Sequence, residues 1–245
     1  MPGAARPQRH GITSRSSSGC CATRSPPEAC DGAPPGTPRN PRHPNPEEGP
    51  MTLLTIWNET DPSTPVVETT DETEIRTALN ALGARFFRWE VKDFGDDASL
   101  DEILALYADE VEQVKRSEGY TLVDIVGLTP TQENYDEVKG PSREKFLSEH
   151  RHDDDEDRFF AKGAGVFYLH VNGKVHALYC EPGDLVSVPA NTTHWFDMGT
   201  SPEFTSIRFF HDEDGWVGHF TGNPIAETFA TFDQLHARRA ELTAA

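Results

Sequence analysis

The amino-acid sequence predicts a mainly β protein, a small antiparallel barrel or jelly roll with a few flanking α-helices. Three observations support this fold class. From about residue 146 onward, short apolar segments alternate with turn residues, which is typical of antiparallel sheets. The dipeptide Asn172-Gly173, a strong hairpin signal, separates two of these segments. Clear helical periodicity is limited to residues before about 120 and to the C-terminal end.

The first part of the folded chain mixes helices with strands. Residues 51–57 open an ordinary globular pattern. Residues 71–82 place four apolar side chains on one helical face and are followed by Gly83, a helix stop. Ser99 and Glu102 form a capping-box pattern that predicts one helix continuing to about Val114. Residues 85–91 and 120–128 are predicted strands.

The second part is predicted to be almost entirely β. Strands are expected at residues 165–171 and 174–179, on either side of the Asn-Gly turn, and then at 184–188, 193–198 and 205–210. Phe160 and Phe167 are assigned to the core. The chain is expected to end in a short helix over residues 232–242. We find no internal repeat.

Two regions of different composition divide the chain at residue 50. Residues 1–50 lack Leu, Val, Phe, Tyr and Trp but hold 11 of the 19 prolines and three of the four cysteines. Such a segment buries too little apolar surface to offset its ordering entropy, so disorder is expected there. We interpret it as an extension before a natural start at Met51, with an Arg- and Ser-rich transit peptide as the alternative. Residues 51–245 are predicted to form one domain.

Charge and cysteine content restrict the function classes. The chain has a formal net charge of −19 at pH 7, which disfavours nucleic acid and anionic membrane surfaces as partners. No apolar run reaches 18 residues, so no membrane span is expected. Cys180 is the single cysteine after residue 50, which fits a reducing cytoplasm.

Four side chains suggest a metal site. His150 and His152 are two residues apart, so on an extended strand they point to the same side. Glu156 follows after a short turn, and His194 lies 38 residues beyond it. Neutral imidazole and carboxylate suit Fe, Ni, Mn, Co or Zn, and the lack of nearby cysteine argues against a thiolate site.

The spacing of these four residues resembles two signatures of the cupin superfamily, a double-stranded β-helix or jelly-roll barrel. The first reads His150-Arg-His152, three residues, Glu156, six residues, Gly163. The second reads Gly183, five residues, Pro189-Ala-Asn191, two residues, His194. Asn191 stands where that signature has glycine, and asparagine tolerates positive φ. Two other signature positions also differ, with Glu144 in place of the leading Gly and Met198 in place of a trailing Asn.

Longer blocks are similar to the acireductone dioxygenase family: residues 145–160, 183–189, 194–199, 207–210 and 215–217. The resemblance implies cleavage of acireductone (1,2-dihydroxy-3-keto-5-methylthiopentene) by O2 in methionine salvage. With Fe(II) the family yields 4-methylthio-2-oxobutanoate and formate, and with Ni(II) it yields 3-methylthiopropanoate, formate and CO. One Fe(II) or Ni(II) per chain is therefore expected, held by His150, His152, Glu156 and His194. A monomer is also expected. Asp157 stands where the family usually has an apolar residue.

The resemblance further implies three residues around the substrate. Arg158 is expected to stabilise its negative charge, and the alternative is a surface pair with the acids at 153–157. Phe196 and Trp216 are expected to line a slot for the methylthio group, and the alternative is plain core. Asp153, Asp154 and Asp155 are predicted to be solvated or to orient a ligand imidazole. His170, His176, His211, His219 and His236 are expected to have no metal role.

Two other functions remain open from the sequence. One is another cupin oxygenase with three His and one Glu, such as a manganese oxalate-type or a flavonol-type enzyme. The other is a non-catalytic cupin that binds metal for structure or sensing, for which a closed tetrahedral zinc site would be evidence.

Overall fold

The computed structural model describes residues 51–212 and 217–243. The segment 1–50, predicted to be disordered, and Trp216 lie outside the described residues. The strands are β1 (Leu53–Asn58), β2 (Val67–Thr69), β3 (Arg85–Arg88), β4 (Leu122–Leu128), β5 (His150–Arg151), β6 (Glu156–Gly163), β7 (Gly165–Val171), β8 (Lys174–Cys180), β9 (Asp184–Val188), β10 (His194–Asp197), β11 (Phe204–Phe210) and β12 (His219–Phe220). The helices are α1 (Glu72–Asn80), α2 (Leu100–Leu106), α3 (Ala108–Glu118), α4 (Tyr135–Leu147) and α5 (Phe232–Thr243), with a 3-10 turn at Pro224–Glu227.

Two antiparallel sheets contain these strands. In the described part of the chain, the larger sheet has the order β12-β5-β10-β7-β8-β1-β2 and the smaller has the order β3-β9-β6-β11-β4. One apolar core combines residues of both sheets, including Phe160 of β6, Phe167 of β7 and Phe196 of β10. The mainly β prediction with flanking helices is confirmed, as is the core assignment of Phe160 and Phe167, which are 0% and 1% exposed.

The helices cover parts of the sheets. A second apolar cluster joins Leu235 and Leu242 of α5 to Tyr179 of β8 and Trp195 of β10. A third joins α2 and α3 to Phe159 of β6 and Phe209 of β11. Successive strand residues point to opposite faces, so Trp195 can pack on α5 while its neighbours His194 and Phe196 face the other way. Among the described helices, none combines the length and the apolar character needed to cross a bilayer.

The turn residues explain several element boundaries. Asn172 and Gly173 both have positive φ (55° and 71°), as the two-residue turn between β7 and β8 requires. Asn191 adopts φ 61°, so asparagine takes the left-handed conformation expected where the signature has glycine. Gly163 has φ 67°, and a Cβ there would lie 1.8 Å from the Glu203 carbonyl oxygen, so only glycine fits.

Several elements differ from the predictions. The helix predicted from Ser99 to Val114 is two helices, α2 and α3, because Tyr107 between them leaves helical geometry (φ −99°, ψ 18°). Its ring is fully buried and lies 4.9 Å from that of Phe159, so tertiary packing outweighs local periodicity. The sequence did not predict strand β1, nor α4, whose interior contains Pro141.

Candidate metal centre

Three histidines converge at one edge of the larger sheet. His150 on β5 lies directly opposite His194 on β10, and His152 follows two residues after His150. One ring nitrogen of each histidine lies within 4.8 Å of the corresponding nitrogens of the other two, and all three rings are buried. The extended backbone at 150–152 therefore places alternate side chains on one side, as the sequence predicts.

Backbone carbonyl groups orient each of these imidazoles. The Nδ1 atom of His150 lies 2.6 Å from the Ser148 oxygen, that of His194 lies 2.7 Å from the Thr192 oxygen, and that of His152 lies 3.1 Å from the Val217 oxygen. A carbonyl oxygen can only accept, so Nδ1 carries the proton in each ring. The Nε2 lone pair of each neutral ring is therefore left to bind a metal ion.

The Glu156 carboxylate lies against two of these histidines. Its Oε2 atom is 3.1 Å from Nε2 of His194 and 3.5 Å from Nε2 of His152. With Nδ1 protonated, a neutral His194 presents a lone pair to the carboxylate, and two facing acceptors repel each other. A cation between these atoms removes the repulsion, so three imidazoles and one carboxylate fit a divalent transition metal.

The protonation states also suit metal binding. Burial and the neighbouring His194 lower the pKa of His150 to about 4, so that ring is neutral at pH 7. Burial, partly offset by Glu156, also lowers the pKa of His152. Burial alone would raise the pKa of Glu156, but the adjacent guanidinium of Arg158 holds it well below its usual range. His150, His152 and Glu156 are therefore in the deprotonated form that a metal ion binds.

Arg158 lies beside the carboxylate, two residues along β6. Its Nη2 atom is 2.5 Å from Oε1 of Glu156, and its side chain is only 2% exposed. The guanidinium carbon lies 4.9 Å from the ring centre of Phe196 and 5.0 Å from that of Phe167. The alternative of a surface pair with the acids at 153–157 is therefore wrong. Among the described residues, none accepts a hydrogen bond from Nε or Nη1 of Arg158.

A cavity of about 330 Å³ opens onto His150 and His152. Its described lining consists of Lys145, Phe146, His150, His152, Val217, Gly218 and Phe220. The sequence did not single out Phe146, Gly218 or Phe220. Phe146 lies four residues before His150 at the end of α4, within the block 145–160 that carries the family resemblance. The lining is mainly apolar apart from the imidazoles and Lys145, which suits a small, partly apolar ligand.

Phe196 and Trp216 were both expected to line such a cavity. Phe196 is 2% exposed and packs in the core, with its ring 5.0 Å from Phe167 and 6.2 Å from Phe146. It is not among the cavity-lining residues; it lies behind them, against Arg158. Trp216 lies outside the described residues.

The acidic run after the histidines bonds to other groups. Asp155 accepts from the Ala190 backbone NH at 2.7 Å, Asp154 bonds to His211, and Asp153 lies 3.1 Å from Nε2 of His219. These carboxylates fix the loop between β5 and β6. The three imidazoles of the cluster are oriented instead by the carbonyl groups described above.

Comparisons with known proteins identify the family. The family model described as the ARD/ARD' family matches residues 57–218. The chain belongs to this family. It is 54% identical over 190 residues to "Acireductone dioxygenase" of Saccharopolyspora erythraea, covering 77% of this chain and 100% of that protein. It is 49% identical to "Acireductone dioxygenase 1" of Nocardia farcinica, covering 76% of this chain and 99% of that protein.

A solved structure extends the likeness to the fold. The structure described as "Acireductone dioxygenase from Bacillus anthracis with cadmium ion in active center" matches with a TM-score of 0.59 and 28% identity. The match covers 71% of this chain and all of that one. The cupin fold inferred from the resemblance is thereby confirmed, and a metal-binding centre in this family member is supported by the three-histidine cluster.

Proposed function

We propose that this protein is a metal-dependent dioxygenase that cleaves acireductone with O2 in methionine salvage. One observation carries the proposal: within a member of the ARD/ARD' family, three imidazoles and a carboxylate converge beside an apolar cavity and a buried arginine. With Fe(II) the products would be 4-methylthio-2-oxobutanoate and formate. With Ni(II) they would be 3-methylthiopropanoate, formate and CO.

His150, His152, Glu156 and His194 would hold the metal, one ion per chain. When bound, Fe(II) or Ni(II) would act as a Lewis acid and as a template that orients the ene-diol substrate and O2. The carbonyl groups of residues 148, 192 and 217 keep the three Nε2 lone pairs available, and Arg158 keeps Glu156 ionised.

Arg158 would also stabilise the substrate. Its Nε and Nη1 donors are buried, and burying unpaired donors on a charged group is costly unless a ligand accepts from them. A deprotonated ene-diol carries oxygen atoms of the required charge and acceptor character. The guanidinium would thus offset negative charge in a water-poor pocket, where hydrogen bonds to ionised groups are strongest.

The methylthio end of the substrate would lie against apolar cavity residues. Phe146 and Phe220 are described parts of the lining. We propose that Phe196 supports this wall through its contact with Phe146, and that Trp216 adds to it. Exclusion of water by these rings would favour the reaction with O2 over side reactions of an electron-rich substrate.

The test is product analysis with defined metals. The purified protein is stripped of metal, reloaded with Fe(II) or Ni(II), and supplied with acireductone and O2. Keto acid with Fe(II) and CO with Ni(II) are expected. Metal binding without O2 consumption would support the non-catalytic cupin instead. Turnover of oxalate or a flavonol, and not of acireductone, would support the other cupin oxygenases.

The ligand assignment has its own test. Glu156→Ala is expected to lose tightly bound metal, measured by elemental analysis of the purified protein. His219→Asn is the matched control, because His219 is a nearby, half-exposed histidine that pairs with Asp153. Stoichiometric tight metal in Glu156→Ala would contradict the assignment.

We further propose that residues 51–245 form the catalytic domain and that the protein acts as a cytoplasmic monomer. The buried, unpaired Cys180 is compatible with a reducing compartment. Light scattering coupled to size-exclusion chromatography tests the oligomeric state, and a mass of two chains would overturn the monomer.

A further inference from the structure

A short segment of chain forms one wall of the metal centre. We call residues 217–221 the wall segment. The Val217 carbonyl oxygen accepts from Nδ1 of His152, and Val217, Gly218 and Phe220 line the cavity. A Cβ added to Gly218 would lie 3.6 Å from atoms of both His150 and His152. The segment therefore contacts two of the proposed ligands, and its position sets the width of the cavity.

Among the described residues, only a short ladder and exposed contacts hold the wall segment in place. Strand β12 contains only two residues, which pair with the two residues of β5. Val217 and Phe220 are each 55% exposed, so apolar burial contributes little to the position of the segment. Segments with few buried contacts and short ladders open at low free-energy cost. A further anchor is therefore needed for a defined cavity.

Thr221 and Glu149 provide that anchor. The Thr221 backbone NH donates to the Glu149 carbonyl oxygen at 3.0 Å, and the Thr221 hydroxyl donates to Oε2 of Glu149 at 2.5 Å. Glu149 is 3% exposed and immediately precedes His150. One pair of residues thus joins the end of the wall segment to the strand that carries a proposed ligand.

The anchor is itself braced. Oε1 of Glu149 lies 2.7 Å from Nδ1 of His170, and Nε2 of His170 lies 2.8 Å from Oε2 of Glu59. Each oxygen of the buried carboxylate therefore has a partner, which offsets the cost of removing the charge from water. This network extends from β5 to β7 and to the end of β1, so the anchor is fixed to the sheet rather than to another loop.

We propose that Glu149 and Thr221 are positioning residues whose hydrogen bond holds the wall segment against His150 and His152 and so sets the affinity for substrate. The proposal rests on the proposed function only in naming acireductone as the ligand of the cavity. Neither residue lines the cavity. Without this bond, the wall segment would take up a wider range of positions and substrate binding would weaken. The proposed metal ligands and Arg158 would keep their positions. A rise in KM with little change in kcat is the kinetic signature of such a loss.

The test compares Thr221→Val with Thr221→Ser in the full chain loaded with Fe(II). Valine keeps the branched shape but lacks the hydroxyl, whereas serine keeps the hydroxyl. Thr221→Val removes the bond to Glu149 and also the acceptor of the Asn223 backbone NH, whereas serine keeps both. The valine variant is expected to raise KM about tenfold, roughly the effect of one hydrogen bond to a charged group, with kcat within about twofold. Thr221→Ser is expected to stay close to the wild type. Thr228→Val removes a hydroxyl bond to Ile225 in the neighbouring 3-10 turn and is the matched control.

A second measurement does not depend on turnover. Hydrogen–deuterium exchange of the amides at 217–221 is expected to be faster in Thr221→Val than in the wild type, with the melting temperature unchanged. Equal exchange and equal KM in the valine and wild-type proteins would overturn the proposal, as would equal losses in the valine and serine variants. If exchange is faster in Thr221→Val than in the wild type, but the wild type does not consume acireductone, the proposed function would be overturned and the anchor would still be supported.

Discussion

Arg158 places a fully buried positive charge next to a proposed metal ligand. Among the described residues, Oε1 of Glu156 accepts its hydrogen bond, and the rings of Phe167 and Phe196 lie against the guanidinium. A guanidinium group has five N–H donors, and the bond to Glu156 uses only Nη2, so Nε and Nη1 can donate to a ligand. This geometry favours a role toward a charged ligand beyond that of stabilising Glu156.

Replacing Arg158 tests that role directly. Arg158→Met keeps the approximate length of the side chain and removes its charge, so kcat/KM is expected to fall about 100-fold, since a hydrogen bond to a charged group contributes up to about 3 kcal/mol. Metal content is expected to persist. Arg208→Met is the control, because Arg208 lies opposite Arg158 on β11 but pairs with Asp124 at the surface. Unchanged turnover in Arg158→Met would remove this residue from the reaction.

His170 gives stability a predictable pH dependence. Burial lowers the pKa of this imidazole, but bonds to Glu59 and Glu149 outweigh burial and raise it above 6.5. A raised folded-state pKa stabilises the protein most below the unfolded value of 6.5, and this contribution is lost as pH rises through the folded-state pKa. The test is made after a chelator has removed bound metal. The difference in unfolding free energy between the wild type and the less stable His170→Gln is expected to be larger at pH 6 than at pH 9. Urea denaturation measures the difference; a gap that does not vary with pH would contradict the assignment.

At the scale of elements, Asp197 links the helices to the sheet that carries His194. Its carboxylate accepts from Nε and Nη2 of Arg143 on α4 at 2.8 and 3.0 Å, and from the backbone NH of Gly199 and of Phe232 at 2.9 Å each. Asp197 is 1% exposed. One buried side chain therefore joins β10 to the helix that carries Phe146 and to the start of α5.

Removal of this link should destabilise the whole domain. Asp197→Ala leaves Arg143 and two backbone NH groups without their acceptor, so a loss of about 3–5 kcal/mol in unfolding free energy is expected. Asp233→Ala serves as the comparison, since Asp233 makes one exposed bond to Thr200 and should cost under about 1 kcal/mol. Chemical denaturation of both variants checks this, and similar losses in the two would contradict the assigned role.

At the scale of the whole molecule, Met51, the start of the proposed catalytic domain, bonds to distant parts of the chain. The Met51 carbonyl oxygen accepts from Nε of Arg239 at 2.9 Å, and its backbone nitrogen bonds to Glu181. The described core clusters begin at Leu53. Met51 is thus bonded to parts of the chain that lie more than 100 residues further on.

A protein beginning at Met51 is therefore expected to match the full chain in melting temperature, metal content and kcat/KM. A free amino group at Met51 would face the Glu181 carboxylate and keep its bond. Scanning calorimetry and the product assay compare the two proteins side by side. A large loss of stability or activity in the shorter protein would show that residues 1–50 contribute to the domain.

Features that depend on residues close together in the sequence are predicted correctly, whereas features that depend on distant residues are not. The β7–β8 hairpin depends on two adjacent turn residues, and the capping box at Ser99 depends on four, so both were found. Helix α4 is not predicted because Gly140-Pro141 favours the end of a helix, whereas the helix is stabilised by Asp197, which is distant in the sequence. The four proposed ligands follow a short spacing pattern, but the Glu149–Thr221 bond joins residues 72 apart and has no local signal.

The use of backbone carbonyls to orient the three imidazoles has an evolutionary consequence. Every residue type supplies a carbonyl oxygen, so the side chains at 148, 192 and 217 can change without losing the acceptor that sets each ring. A carboxylate in the same place would be lost by a single substitution. The three acceptors that orient the imidazoles therefore persist when the residues at these positions are substituted. Proteins with different residues at the three positions can retain the same ring orientations.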